Sequence, residues 1–533
     1  LRRVRWLANF FLDSPAHVLY RALSASALTT ITTPRQTRLS FNHAVAPSPQ
    51  SKREIIRGEE KERWHYYQRL AQKTAGLIIC FTPRLSTAAR WRHLFSRAVL
   101  LHRRLPARSW KTRWLRLCTH PAGTVLLTTR SGILLPLPQP ALVILDEWES
   151  DQYKEEELRP FFDVREVILR YWARYTAVTL GESEKGLRTL FLARRGWKIK
   201  KLGRRVRRSV QLNILSSRAA SFSSSPHPLL TPEILKMCRQ YKRILFVLNR
   251  RGISARFRCP DCGLRWHCAK CGGNLAQRTE KRQSILACTS CGNRVRAALL
   301  RPVFCPRCQS PRFGPAHWGI DSLARALRRW QADFPVFTNI PRHWPAKFYA
   351  VLTYPCLTAL PPQLAELGVM LLPERDFLPL DYRAWEKMWQ RLLAFREKVK
   401  QGGSIWLVTT YPSPPLRDFA AQKVNWLDEE LKLRHKYRLP PFTLEALVAW
   451  RGSVRQKEKI TRQAKYYLRL CRSRLENSPF SLTWYGPYTP LNIKKSHQPR
   501  ILLRGSLRAL QAAAACLPKE VIWDILPSNT VSS

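Results

Sequence analysis

YYQRLAQK (66–73), GLIICF (76–81), TVLLTT (124–129), ALVILDE (141–147) and YTAVTLG (175–181) follow one another along the chain. The first has the periodicity of a helix, and the other four are short apolar runs of strand length. Continuous rather than alternating hydrophobicity marks strands buried on both faces. Such strands separated by helical segments predict a doubly wound parallel sheet. A second unit of the same kind has RILFVLN (243–249), FYAVLTY (348–354), LGVMLL (367–372) and SIWLVTTY (404–411) as its strands. The fold class read from these runs is α/β. Residues 209–228 are Ser-rich and mark a boundary. KVNWLDEELKLRHKYRLPPF (423–442) opens a smaller α+β region that runs to the end.

Outward from those runs, 533 residues are enough for several domains. Hydrophobic residues at 45% and aromatics at 11% supply packed cores and exclude wholesale disorder. Lys and Arg number 92 against 36 Asp and Glu, a formal charge of +56. A surface so basic repels itself unless polyanions are near, so nucleic acid is the expected partner. The bland alternative is a ribosome-associated or merely basic protein. No stretch approaches the ~20 apolar residues of a membrane helix, and no membrane partner is expected. The opening LRRVRWLANFFLDSP is Arg-rich and amphipathic like an organellar presequence. With Leu1 in place of Met, it is read instead as a helix of a truncated domain.

Eight of the fourteen Cys form four C-x-x-C pairs: Cys259/Cys262, Cys268/Cys271, Cys288/Cys291 and Cys305/Cys308. Each such turn puts two thiolates on one side of a zinc ion, so four turns make two closed sites of four cysteines each. Closed sites leave no open position for catalysis, so the two zinc ions are expected to staple the fold. Arg256, Arg258, Arg265, Lys270, Arg294 and Arg307 lie in or beside the turns and offset the thiolate charge. The pattern belongs to a reducing compartment, which with the charge gives a cytoplasmic, nucleoid-associated location.

The string VLNRRGISARFRCPDC, with Asn249, Arg250, Arg251 and Gly252, resembles the lead into the zinc insertion of the PriA family of replication restart helicases. That resemblance implies nested pairs, with Cys259, Cys262, Cys305 and Cys308 on one zinc and Cys268, Cys271, Cys288 and Cys291 on the other. LVILDEWESDQYKEEE is similar to the family's D-E-E-H strand end, here Asp146, Glu147, Trp148 and Glu149, then Tyr153 and Lys154. Thr129, Arg130 and Ser131 match a Thr-Arg-Ser motif. HKYRLPPF (435–442) and WYGPYTPLNIKKSHQPRILLRG (484–505) resemble signatures of its C-terminal DNA-binding domain. WLANFFLDSPAHVLYRAL resembles helices entering its winged helix. The resemblance implies two RecA-like helicase lobes of the superfamily 2 type, a double zinc insertion with four cysteines per ion, and a C-terminal α+β domain. Residues 1–60 would be a winged-helix remnant and linker, 61–225 the degenerate first lobe, 226–420 the second lobe with its insertion at 255–312, and 421–533 the C-terminal domain. On this resemblance, the family's N-terminal domain that grips a 3′ DNA end is expected to have no counterpart in these 533 residues.

A helicase of this type needs a phosphate cradle patterned G-x-x-x-x-G-K-[ST], and the pattern is absent. GEEKERWHYY stands in its place, with Trp64 and His65 where Lys and Thr belong and Glu59 and Glu60 in the loop. Those carboxylates repel a triphosphate. The family's G-S-A-T-P motif is here Gly181-Glu182-Ser183-Glu184-Lys185. Its Arg-finger segment has become RLLAFREKVKQGG, with Arg391, Arg396 and Lys398 but no glycine among them. Asp146 and Glu147 are therefore vestigial, and neither ATP nor Mg²⁺ is expected to bind.

DNA contacts are expected in RTLFLARRGWKIKKLGRRVRR, ten Lys or Arg from Arg188 to Arg208 without an acid. Its Arg194, Arg195, Lys198, Lys200, Lys201, Arg204, Arg205, Arg207 and Arg208 would neutralise phosphates, and Trp197 would stack on a base. The alternative is a solvated face. By resemblance, Lys494, Lys495 and Arg500 join them. Trp91, Trp110, Trp114, Trp330 and Trp344 are read as core or Arg-covered rather than as base platforms. The expected function is a restart protein that binds forked or single-stranded DNA and helps reload the replicative helicase without ATP hydrolysis, its partners primosome proteins and a helicase loader. Two alternatives are an active ATP-dependent 3′–5′ helicase with diverged motifs and a zinc-organised protein adaptor.

Overall fold

The computed structural model describes residues 2–13, 18, 52–203, 211–216, 227, 229–248, 319–357, 359–371, 382–409, 412–450, 457–476, 481–488, 499–518 and 520–526. In the Cys-rich region it describes 257–258, 262, 264, 267–268, 275–280, 283–288, 293–295, 305, 307–309 and 314–315.

Helix α1 (Arg2–Phe11) precedes the first α/β unit, whose elements are β1 (Arg53–Arg57), α2 (Glu60–Gln72), β2 (Ile78–Phe81), α3 (Leu85–Trp91), β3 (Ala98–Leu100), α4 (Ala107–Thr119) and β4 (Val125–Thr128). It continues through β5 (Leu142–Leu145), α5 (Val164–Arg170), β6 (Ala177–Glu182), α6 (Leu187–Ala193) and β7 (Lys198–Lys201). The strands form one sheet in the order β3-β4-β2-β5-β6-β1-β7, every pair parallel. Alternate residues serve two cores. Ile55, Ile79, Val143 and Val178 face one with α1, α4 and α5, while Ile56, Ile78 and Ile144 face the other with Tyr66 and Tyr67 of α2 and Trp91 of α3. That two-sided burial is why the strand sequences run apolar without alternation.

The second unit contains β8 (Gln211–Ser216), α7 (Pro232–Cys238), β9 (Arg243–Val247), the short strands β10 (Phe257–Arg258), β11 (Leu275–Glu280), β12 (Gln283–Cys288), β13 (Arg294–Val295) and β14 (Gly314–Pro315), and α8 (Ile320–Trp330). After these come β15 (Val336–Phe337), β16 (Phe348–Leu352), α9 (Tyr354–Leu357), β17 (Ala365–Leu371), α10 (Ala384–Arg396), β18 (Val399–Thr409) and α11 (Pro414–Ala420). Six strands make a parallel sheet in the order β15-β16-β9-β17-β18-β8. The Cys-rich region forms separate antiparallel pieces, β10 with β14 and β11-β12-β13.

The C-terminal part runs α12 (Trp426–Lys436), β19 (Leu444–Ala449), α13 (Lys457–Glu476), β20 (Leu482–Tyr488), β21 (Arg500–Gly505), α14 (Leu507–Cys516) and β22 (Ile522–Ile525). From β19 onward this is a β-α-β-β-α-β path with antiparallel order β20-β21-β19-β22, the ferredoxin-like arrangement. Its inner face, with Ala446, Val448, Leu503 and Ile525, shares a core with the first sheet. Buried Lys154 reinforces the junction by donating to Asp524 and, at 2.7 Å, to the Ile525 carbonyl.

Three boundaries differ from the sequence reading. Strand β1 lies within 1–60 yet is hydrogen-bonded between β6 and β7, so the first sheet begins before residue 61. Residues 211–216, read as part of a loose boundary, form β8 and pair with β18 of the second sheet. Residues 427–489 belong to the same compact unit as the first sheet rather than standing apart. Apart from 2–13, 18 and 52–60, the winged-helix reading of residues 1–60 lies outside the described residues.

Candidate functional site

In a parallel α/β sheet, ligands sit outside the carboxyl ends of the strands, where loops and helix N-termini converge. Here that place lies between the ends of β1, β5 and β6, and protein groups fill it. Arg63, from the first turn of α2, donates from Nε to Asp146 Oδ1 at 2.7 Å and from Nη2 to Asp146 Oδ2 at 3.1 Å. Its Nη1 donates to the Gly58 carbonyl at 2.8 Å and to Ser183 Oγ at 3.1 Å. The guanidinium thus ties the β1 loop, the end of β5 and the end of β6 together. Tyr67 donates a further bond to Asp146 Oδ1 at 2.6 Å. Arg63 is 1% exposed and Asp146 0%. Burial disfavours the Arg63 charge, but Asp146 more than offsets it and raises the guanidinium pKa above its ordinary value. Burial and then Asp146 push the Tyr67 hydroxyl well above its ordinary value too, so it stays a donor.

A second ion pair lies beside the first. Arg57 donates to Glu182 Oε1 at 2.8 and 2.6 Å, and Glu182 also accepts from Thr189 and, at 3.3 Å, from Trp148. The N-terminus of α2, where a phosphate would be held, has its own carboxylates. Glu59 is the N-cap, and Glu62 Oε2 accepts from the Glu59 backbone N–H at 2.8 Å. The loop has no spare room, because a Cβ on Gly58 would lie 2.6 Å from Glu62 Oε2 and 2.9 Å from Leu202 Cβ. Glu147 has left-handed backbone (φ 46°) and lies 3.9 Å from Arg84. Glu149, in place of the expected His, accepts from the Thr189 N–H at 3.3 Å.

Arg63 and Arg57 went unnoticed in the sequence. The available signal was Asp146 and Glu182, acids at the ends of apolar strands, which must find cations once buried. The cations of the second sheet are engaged within their own unit. Arg391 lies over Tyr354, Arg396 over Phe419, and Lys398 donates to the Leu360 carbonyl at 3.0 Å.

The Cys-rich region brings Cys262, Cys305 and Cys308 together, with all three sulfurs within 4.8 Å of one another. Cys262 Sγ and Cys305 Sγ are 3.5 Å apart. Zn–S bonds of about 2.3 Å set a tetrahedral edge of about 3.8 Å, so the spacing suits a shared ion and is far too long for a disulfide. Desolvation works against a Cys305 thiolate, but backbone N–H groups of Cys308 and Arg307 lower its pKa. These three come from the outer pairs, and the fourth, Cys259, lies outside the described residues. Of the inner set, Cys268 and Cys288 are buried, and both engage Asn293, which donates to Cys268 Sγ at 3.8 Å and accepts from the Cys288 N–H at 2.8 Å. Cys271 and Cys291 lie outside the described residues. One cysteine cluster is therefore present among the described residues.

The basic run divides. Lys198 to Lys201 form the exposed edge strand β7, with Lys200 Nζ over the Tyr66 ring at 4.8 Å. Arg194 pairs with Asp428 at 3.3 Å, and Arg195 stacks on Phe191. Trp197 corrects the sequence reading. At 7% exposure it packs in the core of the first sheet, so its face is closed to a base. Trp91, Trp110 and Trp114 are buried as well. Arg500 sits half-buried in β21 opposite Ala449. Arg204, Arg205, Arg207, Arg208, Lys494 and Lys495 lie outside the described residues. Among the described residues, no helix is long and apolar enough to cross a membrane.

Two parallel sheets that resemble RecA-like lobes and one cysteine cluster among the described residues define an α/β protein with a cysteine-based metal-site candidate. Its sequence is similar to replication restart proteins called PriA. That of Haemophilus influenzae is 22% identical over 362 residues, covering 61% of this chain and 47% of the relative. That of Rickettsia conorii is 23% identical over 376 residues, covering 62% and 54%. That of Borreliella burgdorferi is 22% identical over 358 residues, covering 63% and 53%. The chain spans about half the length of these relatives. No protein-family profile matches it. Among solved structures, a DEAD box protein from Methanococcus jannaschii aligns at 10% identity with a TM-score of 0.31, covering 73% of this chain and 87% of that one. The Escherichia coli DExH-box NTPase HrpB aligns at 12% with a TM-score of 0.36, covering 69% and 41%.

Proposed function

We propose that the chain is a non-hydrolysing DNA-structure binder of replication restart, built on two RecA-like lobes with two structural zinc sites of four cysteines each. In this reading it binds forked or single-stranded DNA and helps reload the replicative helicase through primosome proteins and a helicase loader. The observation that carries the absence of hydrolysis is the buried Arg63–Asp146 pair. Arg63 on both Asp146 oxygens and Tyr67 on Oδ1 take three of that carboxylate's roughly four acceptor positions, which disfavours Mg²⁺, and Glu59 and Glu62 flank the start of α2 where phosphates need positive charge. Partial likeness to restart proteins and the net charge of +56 support the DNA side.

The test is ATP hydrolysis by the purified chain with forked DNA, beside fork binding across a salt series. Hydrolysis no faster than in protein-free controls and steeply salt-dependent binding are expected. Turnover on the order of 1–100 s⁻¹, abolished by Asp146→Asn, would overturn the non-hydrolysing reading. Failure to bind forks at low salt would overturn the DNA reading.

A further inference from the structure

Residues 63–145 contain fourteen Lys or Arg and no Asp or Glu, the longest acid-free stretch of the chain. The fold gathers much of that charge at the β3 edge of the first sheet, across from the β7 edge. Arg97 precedes β3 and is exposed. Arg103 and Arg104 are exposed in the loop that follows it. Helix α4 then buries Trp110, Trp114 and Leu117, so its outer side presents Arg108, Thr112 and Arg116, with Lys111 half-buried beside them. Arg108 and Arg116 are eight residues apart, about 12 Å along the helix. Arg113 binds α4 to the edge strand through the Leu100 carbonyl at 2.7 Å. Among the described residues, Arg97, Arg103, Arg104, Arg108, Lys111 and Arg116 have no carboxylate partner. His102, half-buried in the same loop, has its pKa lowered by burial and then by Arg113 and Arg104, as expected where positive charge is not offset.

Surfaces usually intersperse both signs of charge, and a single-sign strip on a rigid helix and sheet edge favours a polyanion. The Trp and Phe rings nearest the strip, Trp91, Phe95, Trp110 and Trp114, are all buried, which leaves it no Trp, Tyr or Phe platform for unpaired bases. Contacts limited to phosphates read backbone rather than sequence and accept a duplex. We infer that the β3–α4 edge is a second DNA-binding surface, which holds the phosphate backbone of duplex DNA. It rests on the DNA reading above but is separate from the 188–208 run and the C-terminal residues.

The test compares the full chain with a variant carrying Arg103→Gln, Arg104→Gln, Arg108→Gln and Arg116→Gln. All four side chains are exposed, and a matching set of Arg→Lys changes keeps the charge. Binding to duplex, single-stranded and forked DNA is measured by fluorescence anisotropy across KCl concentrations. Duplex affinity of the Gln variant should fall at least about tenfold near 0.1 M salt, and its log–log salt slope by roughly 0.9 for each phosphate no longer neutralised. The Lys variant should stay close to wild type. Wild-type protein that binds DNA, with a Gln variant unchanged in affinity and slope, overturns this inference and leaves the DNA reading standing. Wild-type protein that binds neither duplex nor fork overturns the DNA reading itself. A loss confined to single strands overturns the duplex assignment. Loss of binding to phosphatidylserine vesicles with DNA binding intact makes the strip a lipid surface instead.

Discussion

A guanidinium that is 1% exposed stays charged only where an acid and several acceptors replace its water, and Arg63 has both. The Asp146 carboxylate likewise depends on Arg63 and Tyr67. Arg63→Ala should therefore cost about 3–5 kcal/mol of stability, because it strands a buried charge rather than exposing a functional one. A urea titration reads the loss as a lower midpoint. Replacing the pair together, Arg63→Met with Asp146→Leu, should be much milder, since no lone charge remains. Near-equal losses for the single and double variants would mean that the pair contributes mainly by packing. Nucleotide binding should return in neither variant, because Glu59 and Glu62 still occupy the start of α2.

At the scale of elements, the Cys-rich pieces are two- and three-stranded antiparallel ribbons too small to hold a core of their own. Metal closes such ribbons by fixing their loops. Cys305→Ser removes a 0%-exposed member of the observed cluster and should release one of two zinc equivalents, measured by elemental analysis. The parallel sheets should keep their circular dichroism, since none of their strands carries a ligand. An unchanged metal content would remove Cys305 from the site. The C-x-x-C pairs were legible because ligand spacing is a local property of a turn. Trp197 shows the opposite case. Its basic neighbours suggested a base platform, but the edge position of β7 exposes the lysines while the preceding residue packs inward.

Across the whole molecule, a charge of +56 makes the folded state repel itself. Salt screens that repulsion, with a Debye length near 10 Å at about 0.1 M. The thermal midpoint should therefore rise between roughly 0.05 and 0.3 M KCl, the range over which DNA affinity should fall. A midpoint that falls with salt would show that internal ion pairs outweigh the net repulsion. The acid-free stretch from 63 to 145 was visible as composition, but only the packing of α4 on the β3 edge turned it into a surface.

The α/β class, most of the strands and the metal-ligand spacing were determined by the sequence alone, because each depends on residues only a few positions apart. The absence of a G-x-x-x-x-G-K-[ST] pattern was legible for the same reason. Only the tertiary structure decided which charged groups meet at the strand ends. Arg63 and Asp146 are 83 residues apart, and Arg57 and Glu182 are 125 apart. These pairs meet because β1 lies beside β6 and β6 beside β5, an order of strands that no local pattern encodes. The membership of β8 in the second sheet and the core shared by the C-terminal sheet with the first were set in the same way. Contacts between distant segments follow from how buried faces stack, whereas helices, strands and ligand turns follow from neighbouring residues.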